Sequence, residues 1–183
     1  MGIVRVTTTM SLDGFMAGPD HEMDWVFEHS SDVPAENTQE LIETTGAILA
    51  GRGSYNVGRR STRQETSKPF GGAWSGPQFV LTHDPPDDED DPSITFISGD
   101  IRSAVATALD AADGRNALIF GANVANQCLD ERLVDEIVIY VLPVLLGDGV
   151  RLFDAHGSRR VDLEPVAIER WGGVANLHYR VAR

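Results

Sequence analysis

The chain has 183 residues, a hydrophobic content of 42%, a charged content of 23% and a formal net charge of −13. This composition excludes an intrinsically disordered protein, and the negative charge argues against binding nucleic acid through its phosphates. No apolar run has the length of a membrane span, no signal-peptide pattern is present, and the single Cys128 permits no internal disulfide. We therefore expect one cytoplasmic domain over residues 1–183, without membrane contact and, since zinc-type Cys/His spacing is missing, without a metal site.

The first half of the chain alternates between patterns typical of strands and of helices. Residues 3–10 alternate in polarity and are rich in valine and threonine, which predicts a strand followed by a glycine-punctuated loop. Residues 34–45 predict a helix with Pro34 in its first turn. The other elements predicted here are a strand at 47–50, a helix from Arg52, a polar loop at 59–76, a strand at 78–82, an exposed acidic loop at 83–92 and a strand at 94–97.

The second half continues the alternation. Asp100 predicts the cap of a helix that runs to about Ala112. Residues 117–129 are the most informative stretch, because an apolar run turns at Gly121 into a helical pattern whose apolar face includes Cys128. The last predicted elements are a long strand at 136–146 and a hairpin of two strands at 161–171 and 174–181.

This order of elements predicts an α/β fold with a mostly parallel central sheet, helices on both faces and a C-terminal antiparallel hairpin. Ligands of such sheets bind at the carboxyl ends of the strands. Three glycine-marked strand ends, at residues 14–18, 51–54 and 121–124, are expected to converge there. A helix that starts at such an end offers N–H groups and a dipole that suit a phosphate. The alternative is an ordinary strand–turn–helix unit with structural glycines.

Arg52 and Ser54 follow the glycine that ends the strand at 47–50. An arginine in this position can form paired hydrogen bonds with a phosphate, and a hydroxyl can complete the site. A surface arginine and a helix-capping serine are the alternative. The dinucleotide fingerprint G-x-G-x-x-G is absent, because Asn56 stands where its third glycine belongs. Two helix starts that suit phosphates, at Gly51 and Gly121, nevertheless favour a ligand with several phosphates.

Five short motifs stand out along the chain. They are Met-Ser-Leu-Asp-Gly-Phe-Met-Ala at 10–17, Gly-Arg-Gly-Ser-Tyr at 51–55, Phe-Gly-Ala-Asn at 120–123, Leu-Val-Asp-Glu at 133–136 and Leu-Leu-Gly-Asp-Gly at 145–149. Together they resemble the dihydrofolate reductase-like superfamily, above all the branch shared with the reductase (C-terminal) domain of the bacterial riboflavin deaminase-reductase. The resemblance covers essentially the whole chain and implies an NADPH-dependent reductase with a dihydrofolate reductase-like fold.

The resemblance also implies a role for each strand end. Arg52, after Gly51, would pair with the adenosine 2′-phosphate, and Ser54 would contact the pyrophosphate. Thr82 and His83 would line the adenosine. The remaining implied cofactor contacts are Gly121, Ala122, Asn123 and Val124 for the pyrophosphate, and Thr9, Ala17 and Gly18 for the nicotinamide.

Two aspartates are candidates for the proton donor that often accompanies hydride transfer to a heterocycle. Asp13 and Asp24 both lie in the loop region expected over the nicotinamide. A turn-forming role is the alternative for Asp13, and a helix cap is the alternative for Asp24. Trp25 is either a residue that stacks on a planar substrate or a core residue, and Cys128 is expected in the core.

The expected function is therefore reduction of a pteridine-like or pyrimidine-like heterocycle by NADPH, similar to the 5-amino-6-(5-phosphoribosylamino)uracil reductase of riboflavin biosynthesis. A true dihydrofolate reductase and a non-catalytic nucleotide-binding protein are the alternatives. The riboflavin branch commonly dimerises through sheet-edge and hairpin surfaces, which implies a homodimer. The apolar residues expected at that surface are Leu163, Val166, Ile168 and Trp171.

Overall fold

The elements below are those of a computed structural model that describes residues 2–61, 63, 67–154 and 160–182. The strands are β1 (Val4–Ser11), β2 (Phe15–Ala17), β3 (Thr45–Gly51), β4 (Gln78–Leu81), β5 (Ile94–Ile97), β6 (Asn116–Phe120), β7 (Glu136–Leu142), β8 (Val150–Arg151), β9 (Leu163–Trp171) and β10 (Val174–Val181). The α-helices are α1 (Ala35–Thr44), α2 (Arg52–Arg60), α3 (Ile101–Ala111) and α4 (Ala122–Asp130). Short 3-10 helices occupy Pro19–His21, Asp24–Asp32 and Pro69–Gly72.

Eight of these strands form one sheet in the order β5-β4-β3-β6-β1-β7-β10-β9. Every pairing from β5 to β7 is parallel, whereas β10 pairs antiparallel with both β7 and β9. The predicted α/β architecture, with its mostly parallel sheet and antiparallel C-terminal hairpin, is confirmed. None of the helices in the described ranges has the length and apolar character needed to cross a membrane.

Apolar side chains are buried on both faces of the sheet. Ile119 packs in the cluster that α3 and α4 cover, whereas its neighbour Leu118 packs against Trp74 and Leu41 on the other face. Successive side chains of a strand point to opposite faces, and a central parallel strand therefore carries a continuous apolar run. Cys128 is fully buried in the cluster under α4, as expected, and burial raises the pKa of its thiol to about 12.

Most predicted bounds agree with the structure to within two residues, and the larger differences lie at β7 and in residues 59–76. β7 ends at Leu142, so the predicted strand at 136–146 is too long; Pro143 has no N–H to donate to a sheet ladder. The predicted polar loop at 59–76 includes residues 62 and 64–66, which lie outside the described ranges. Elsewhere in it, α2 continues to Arg60, and Trp74 is buried and donates its indole N–H to the Thr45 carbonyl at 3.1 Å.

Candidate functional site

The carboxyl ends of β3 and β6 bring two helix starts together. The two strands are parallel neighbours, with Ala50 beside Phe120, so α2 and α4 both begin at the same edge of the sheet. A Cβ atom at Gly121 would overlap the Ser54 hydroxyl and would lie 3.9 Å from the Gly51 nitrogen. Gly121 also has a φ of 97°, a conformation that side chains with a Cβ rarely adopt. Glycine is therefore required where the two helix starts meet.

Both of these helices begin without a side-chain cap. Gly51 and Gly121 hold the N-cap positions of α2 and α4, and neither helix has a capping hydrogen bond from a side chain in the described chain. The N-terminus of α3 differs, because the Asp100 carboxylate accepts a hydrogen bond from the Ser103 N–H at 3.0 Å. The first N–H groups of α2 and α4 have no intrahelical acceptors, which is an arrangement that suits an anion.

Arg52, at the first position of α2, has partners on several sides. Its Nε donates to Asn56 Oδ1 at 3.0 Å, and its Nη1 donates to the Asp84 carbonyl oxygen. The guanidinium carbon lies 5.6 Å from the centre of the Tyr55 ring. These contacts hold the positive charge beside the start of α2, where the resemblance implies a phosphate contact.

The acidic loop after β4 lies against α2 and is not simply solvated. Arg59 Nη2 is 2.7 Å from Asp88 Oδ2, and the Tyr55 hydroxyl donates to Glu89 Oε2. Burial and the bond to Glu89 raise the pKa of Tyr55, while the same bond lowers the pKa of Glu89. The sequence interpretation missed these contacts. The signal was the spacing of Arg52, Tyr55 and Arg59, which puts the three side chains on one helix face.

The other implied cofactor contacts, at β4 and α4, differ in whether their side chains are accessible to a ligand. Thr82 follows β4, next to Gly51 of β3, and its hydroxyl accepts a hydrogen bond from the Asp84 N–H at 3.2 Å. Asn123 is exposed, whereas Val124 is buried and packs against Gly51. Val124 can therefore offer a ligand its backbone N–H but not its side chain. Ala122 opens α4 and is half-buried.

The residues implied at the nicotinamide lie at the end of β1 and in β2. Thr9 is half-buried and pairs with Tyr140 of β7. Ala17 and Gly18 are buried, and Gly149, with a φ of 134°, packs so closely that a Cβ atom there would overlap the Ala17 carbonyl oxygen. β2 pairs with β8 to join the two loops, and this short sheet was not predicted.

The carboxylate of Asp13 ties these two loops together. It accepts hydrogen bonds from Ser11 Oγ at 2.6 Å, from the Gly147 N–H at 2.7 Å and from the Leu146 N–H at 3.2 Å. The bond from Ser11, with those from Gly147 and Leu146, lowers the pKa of Asp13 to about 2 against the opposing effect of burial. Both oxygens of this carboxylate are already engaged by donors of the two loops, so the geometry favours the loop-forming alternative.

Asp24 lies in a different environment, beside an open cleft. The cleft has a volume of about 270 Å³ and lies between residues 20–24 and α2. Asp24 is exposed, and its Oδ1 is 3.1 Å from Arg63 Nε. Trp25 is buried against Leu142 and Val174, so it is a core residue rather than a stacking platform. Asp24 therefore faces the cleft, whereas Asp13 faces the 145–149 loop.

The sequence interpretation predicted no metal site. Within residues 2–61, 63, 67–154 and 160–182, His, Cys, Asp and Glu side chains form no group of three or more that could hold a metal ion. Two acidic residues of the 83–92 loop are instead paired with side chains of α2, Asp88 with Arg59 and Glu89 with Tyr55.

Three known proteins are similar to this chain over most of its length. The uncharacterized protein YwjB of Bacillus subtilis (strain 168) is 29% identical over 178 residues, which cover 93% of this chain and 92% of that protein. A Shewanella sp. PV-4 protein whose crystal structure is named for riboflavin biosynthesis superposes with a TM-score of 0.78 at 23% identity, over 99% of both chains. The Saccharomyces riboflavin biosynthesis reductase Rib7 gives a TM-score of 0.65 at 18% identity, over 99% of this chain and 90% of Rib7.

At these identities, the two solved structures show a shared fold. The family is shown by a different comparison. The family model described as the RibD C-terminal domain matches residues 3–176 of this chain. That match spans nearly the whole chain and confirms the resemblance carried by the five sequence motifs. The protein belongs to the RibD C-terminal domain family.

Proposed function

We propose that this protein is an NADPH-dependent reductase of a pteridine-like or pyrimidine-like heterocycle, similar to 5-amino-6-(5-phosphoribosylamino)uracil reductase. One observation carries the proposal: two uncapped helix starts meet at Gly51 and Gly121, with Arg52 beside them. The name of Rib7, a riboflavin biosynthesis reductase of the same fold, supports the reaction class.

The helix starts fit the phosphates of such a cofactor. Glycine at 121 lets the Ser54 hydroxyl come close to the start of α4, so a pyrophosphate bound there could reach this hydroxyl and the N–H groups of Ala122, Asn123 and Val124. Arg52 supplies the positive charge for a 2′-phosphate, and Ser54 supplies a hydroxyl at the junction.

The two ends of the cofactor fit the strands on either side of this junction. Thr82 follows β4, and Thr9 lies near the end of β1, with β3 and β6 between these strands. Three steps between neighbouring strands span about 14 Å at roughly 4.8 Å each, comparable to an extended dinucleotide. We therefore assign the adenosine to Thr82 and the nicotinamide to Thr9, Ala17 and Gly18.

We assign the substrate to the cleft between residues 20–24 and α2, because Glu22 on its wall lies against Gly18, which we assign to the nicotinamide. Bound NADPH would supply the hydride, and the chain would align the two flat rings and exclude water. Asp24 faces this cleft and is accessible, so of the two predicted acids it is the better proton donor. We assign Asp13 the task of holding the loops over the nicotinamide through Gly147 and Leu146.

Substrate-dependent oxidation of NADPH tests this function. We expect NADPH to raise the melting temperature and a ribosylaminopyrimidine, but not dihydrofolate, to drive its oxidation. Oxidation with dihydrofolate would instead identify a dihydrofolate reductase. NADPH binding with no oxidation by any heterocycle tested would leave a nucleotide-binding protein, and no binding at millimolar NADPH would overturn the proposal.

We also propose that the protein acts as a homodimer. β9 is an edge strand, and Leu163, Val166 and Ile168 on it are 41%, 45% and 61% exposed. An edge strand that exposes apolar side chains favours association, and a second copy of the chain would cover it. Trp171 differs from these three, because it is half-buried and its ring centre lies 6.0 Å from that of Tyr140.

A further inference from the structure

We propose that the acidic segment at residues 84–91 is a specificity determinant that limits the preference for NADPH over NADH. This inference rests on the proposed function, because it needs a 2′-phosphate at Arg52. Six of the eight residues in the segment are acidic. Their position against α2, rather than their number, gives them this role.

The segment is attached to the same helix face that carries Arg52. Arg59 Nη2 pairs with Asp88 at 2.7 Å, Arg59 Nη1 donates to the Tyr55 hydroxyl at 2.8 Å, and that hydroxyl donates to Glu89. The Tyr55 ring also packs edge-on against Phe96 of β5, with ring centres 5.2 Å apart. Side chains of α2 and β5 therefore keep the carboxylates of Asp88 and Glu89 against α2, Glu89 at Tyr55 near its start and Asp88 at Arg59 in its last turn.

The attachment brings negative charge to the neighbourhood of Arg52. Arg52 Nη1 donates to the Asp84 carbonyl oxygen, so the guanidinium lies against the first residue of the segment. Asp88 is close enough to Arg52 for the two charges to interact, and this attraction adds to that of Arg59 in lowering the pKa of Asp88. A phosphate bound at Arg52 would lie in the field of the same carboxylates.

This field acts unequally on the two cofactors. A phosphate monoester carries about −1.5 to −2 charges at neutral pH. Only NADPH brings this group to Arg52, so the carboxylates oppose NADPH binding more than NADH binding. Two variants remove the charges but keep the hydrogen bonds. An amide oxygen at position 88 can still accept from Arg59, and one at position 89 can still accept from Tyr55.

The test measures the affinities of both cofactors for the wild-type protein and for Asp88→Asn/Glu89→Gln by calorimetry. We expect NADPH to bind about fourfold more tightly to the variant in low salt, roughly twofold for each carboxylate, with NADH little changed. The gain should shrink in about 0.5 M salt, because the charges are then screened. Asp113→Asn is the matched control, since Asp113 is exposed and lies before β6, at the amino ends of the parallel strands rather than at their carboxyl ends.

The outcomes separate this inference from the proposed function. A wild-type protein that binds neither cofactor would overturn both. Binding of both cofactors with an unchanged or lowered NADPH-to-NADH ratio in the double variant would overturn the inference alone. A gain that is equal for the two cofactors, or that persists in high salt, would also overturn it, because a change in loop structure rather than charge would then be the cause.

Discussion

Gly121 and Ser54 are in such close contact that a Cβ atom at position 121 would overlap the serine hydroxyl. The contact joins the starts of two helices that are far apart in the sequence, and it leaves their N–H groups side by side. Glycine at 121 therefore has two tasks: it adopts a φ of 97°, and it leaves room for the Ser54 hydroxyl, so that the two helix starts at which we expect a pyrophosphate stay together.

Gly121→Ala should lower the free energy of unfolding by about 1–3 kcal/mol, because alanine is strained in this conformation. It should also weaken NADPH binding, because the added methyl group would displace Ser54 and separate the two helix starts. Gly53→Ala is the matched control for stability, since a Cβ atom there meets nothing within 4 Å and the residue is helical. Denaturant unfolding of both variants checks this, and equal losses would contradict it.

Arg52→Ala should remove most of the preference for NADPH and leave NADH binding nearly unchanged. A hydrogen bond to a charged group contributes roughly 1.5–3 kcal/mol, and we expect the lower half of this range because Asn56 and Asp84 also occupy the guanidinium. The affinity for NADPH should therefore fall about tenfold or somewhat more.

Calorimetric titration of both cofactors measures the change, with Arg115→Ala as the control. Arg115 is exposed before β6, at the amino ends of the strands. If Arg52→Ala keeps the full preference, another residue binds the 2′-phosphate.

Asp13→Asn should destabilise the protein at neutral pH but not near pH 2. The pKa of Asp13 in the folded protein is lowered from 3.8 to about 2, so its carboxylate stabilises the fold above pH 4. This contribution is lost as the pH falls through about 2. Unfolding of both proteins from pH 7 to pH 2 checks the trend, with Asp113→Asn as the control. A difference that does not vary with pH would show that the Asp13 charge is irrelevant.

The same variant tests the role of Asp13 in turnover. If Asp13 only shapes the loop through Gly147 and Leu146, turnover and NADPH affinity should fall by similar factors. A loss of turnover that is much larger than the loss of NADPH affinity would indicate that Asp13 takes part in proton transfer.

Asp24→Asn should lower the rate of substrate reduction by about 100-fold or more, with little effect on NADPH affinity. Asp24 lines the cleft and is not one of the residues that we assign to the cofactor. Asp20→Asn is the matched control, since Asp20 is also acidic, exposed and on the cleft wall. Single-turnover measurements with saturating NADPH compare the two, and equal effects would exclude a specific role for Asp24.

Ile168→Lys should convert a dimer into a monomer at micromolar concentration, because lysine cannot be buried in an apolar contact. Glu169→Lys is the matched control, since successive residues of β9 point to opposite faces of the sheet. Sedimentation analysis measures both. A wild-type monomer would contradict the proposed homodimer. If only Glu169→Lys dissociated the dimer, the interface would lie on the face of the sheet that carries Glu169.

The sequence predicted the elements whose signals are local. The four residues of β5 have the predicted bounds, because they form an apolar run between polar residues, and Asp100 caps α3 as expected. β2 and β8 were missed, since strands of three and two residues are too short for a periodic pattern. Their pairing depends on two loops that only the folded chain brings together.

In the candidate site too, the features with a local sequence signal were predictable and the tertiary contacts were not. Glycines that end strands can be read directly, so the meeting of Gly51 and Gly121 followed from parallel strand order. The docking of the acidic loop on Tyr55 and Arg59 did not follow, because a run of acidic residues looks the same in sequence whether it is solvated or paired. The hydrogen-bond partners of Arg52 were not predictable either, because one of them, the Asp84 carbonyl, is brought close only by the tertiary fold.

The bond between Asp13 and the Leu146 N–H joins residues that are 133 positions apart. During synthesis, the first strand and its loop leave the ribosome long before their partners in β6, β7 and the 145–149 loop. The two loops to which we assign the nicotinamide therefore cannot come together until residue 149 has been made. β1, a central strand with neighbours on both sides, has no partner in the sheet until β6 has been made, and that interval is when we expect the nascent protein to depend most on chaperones.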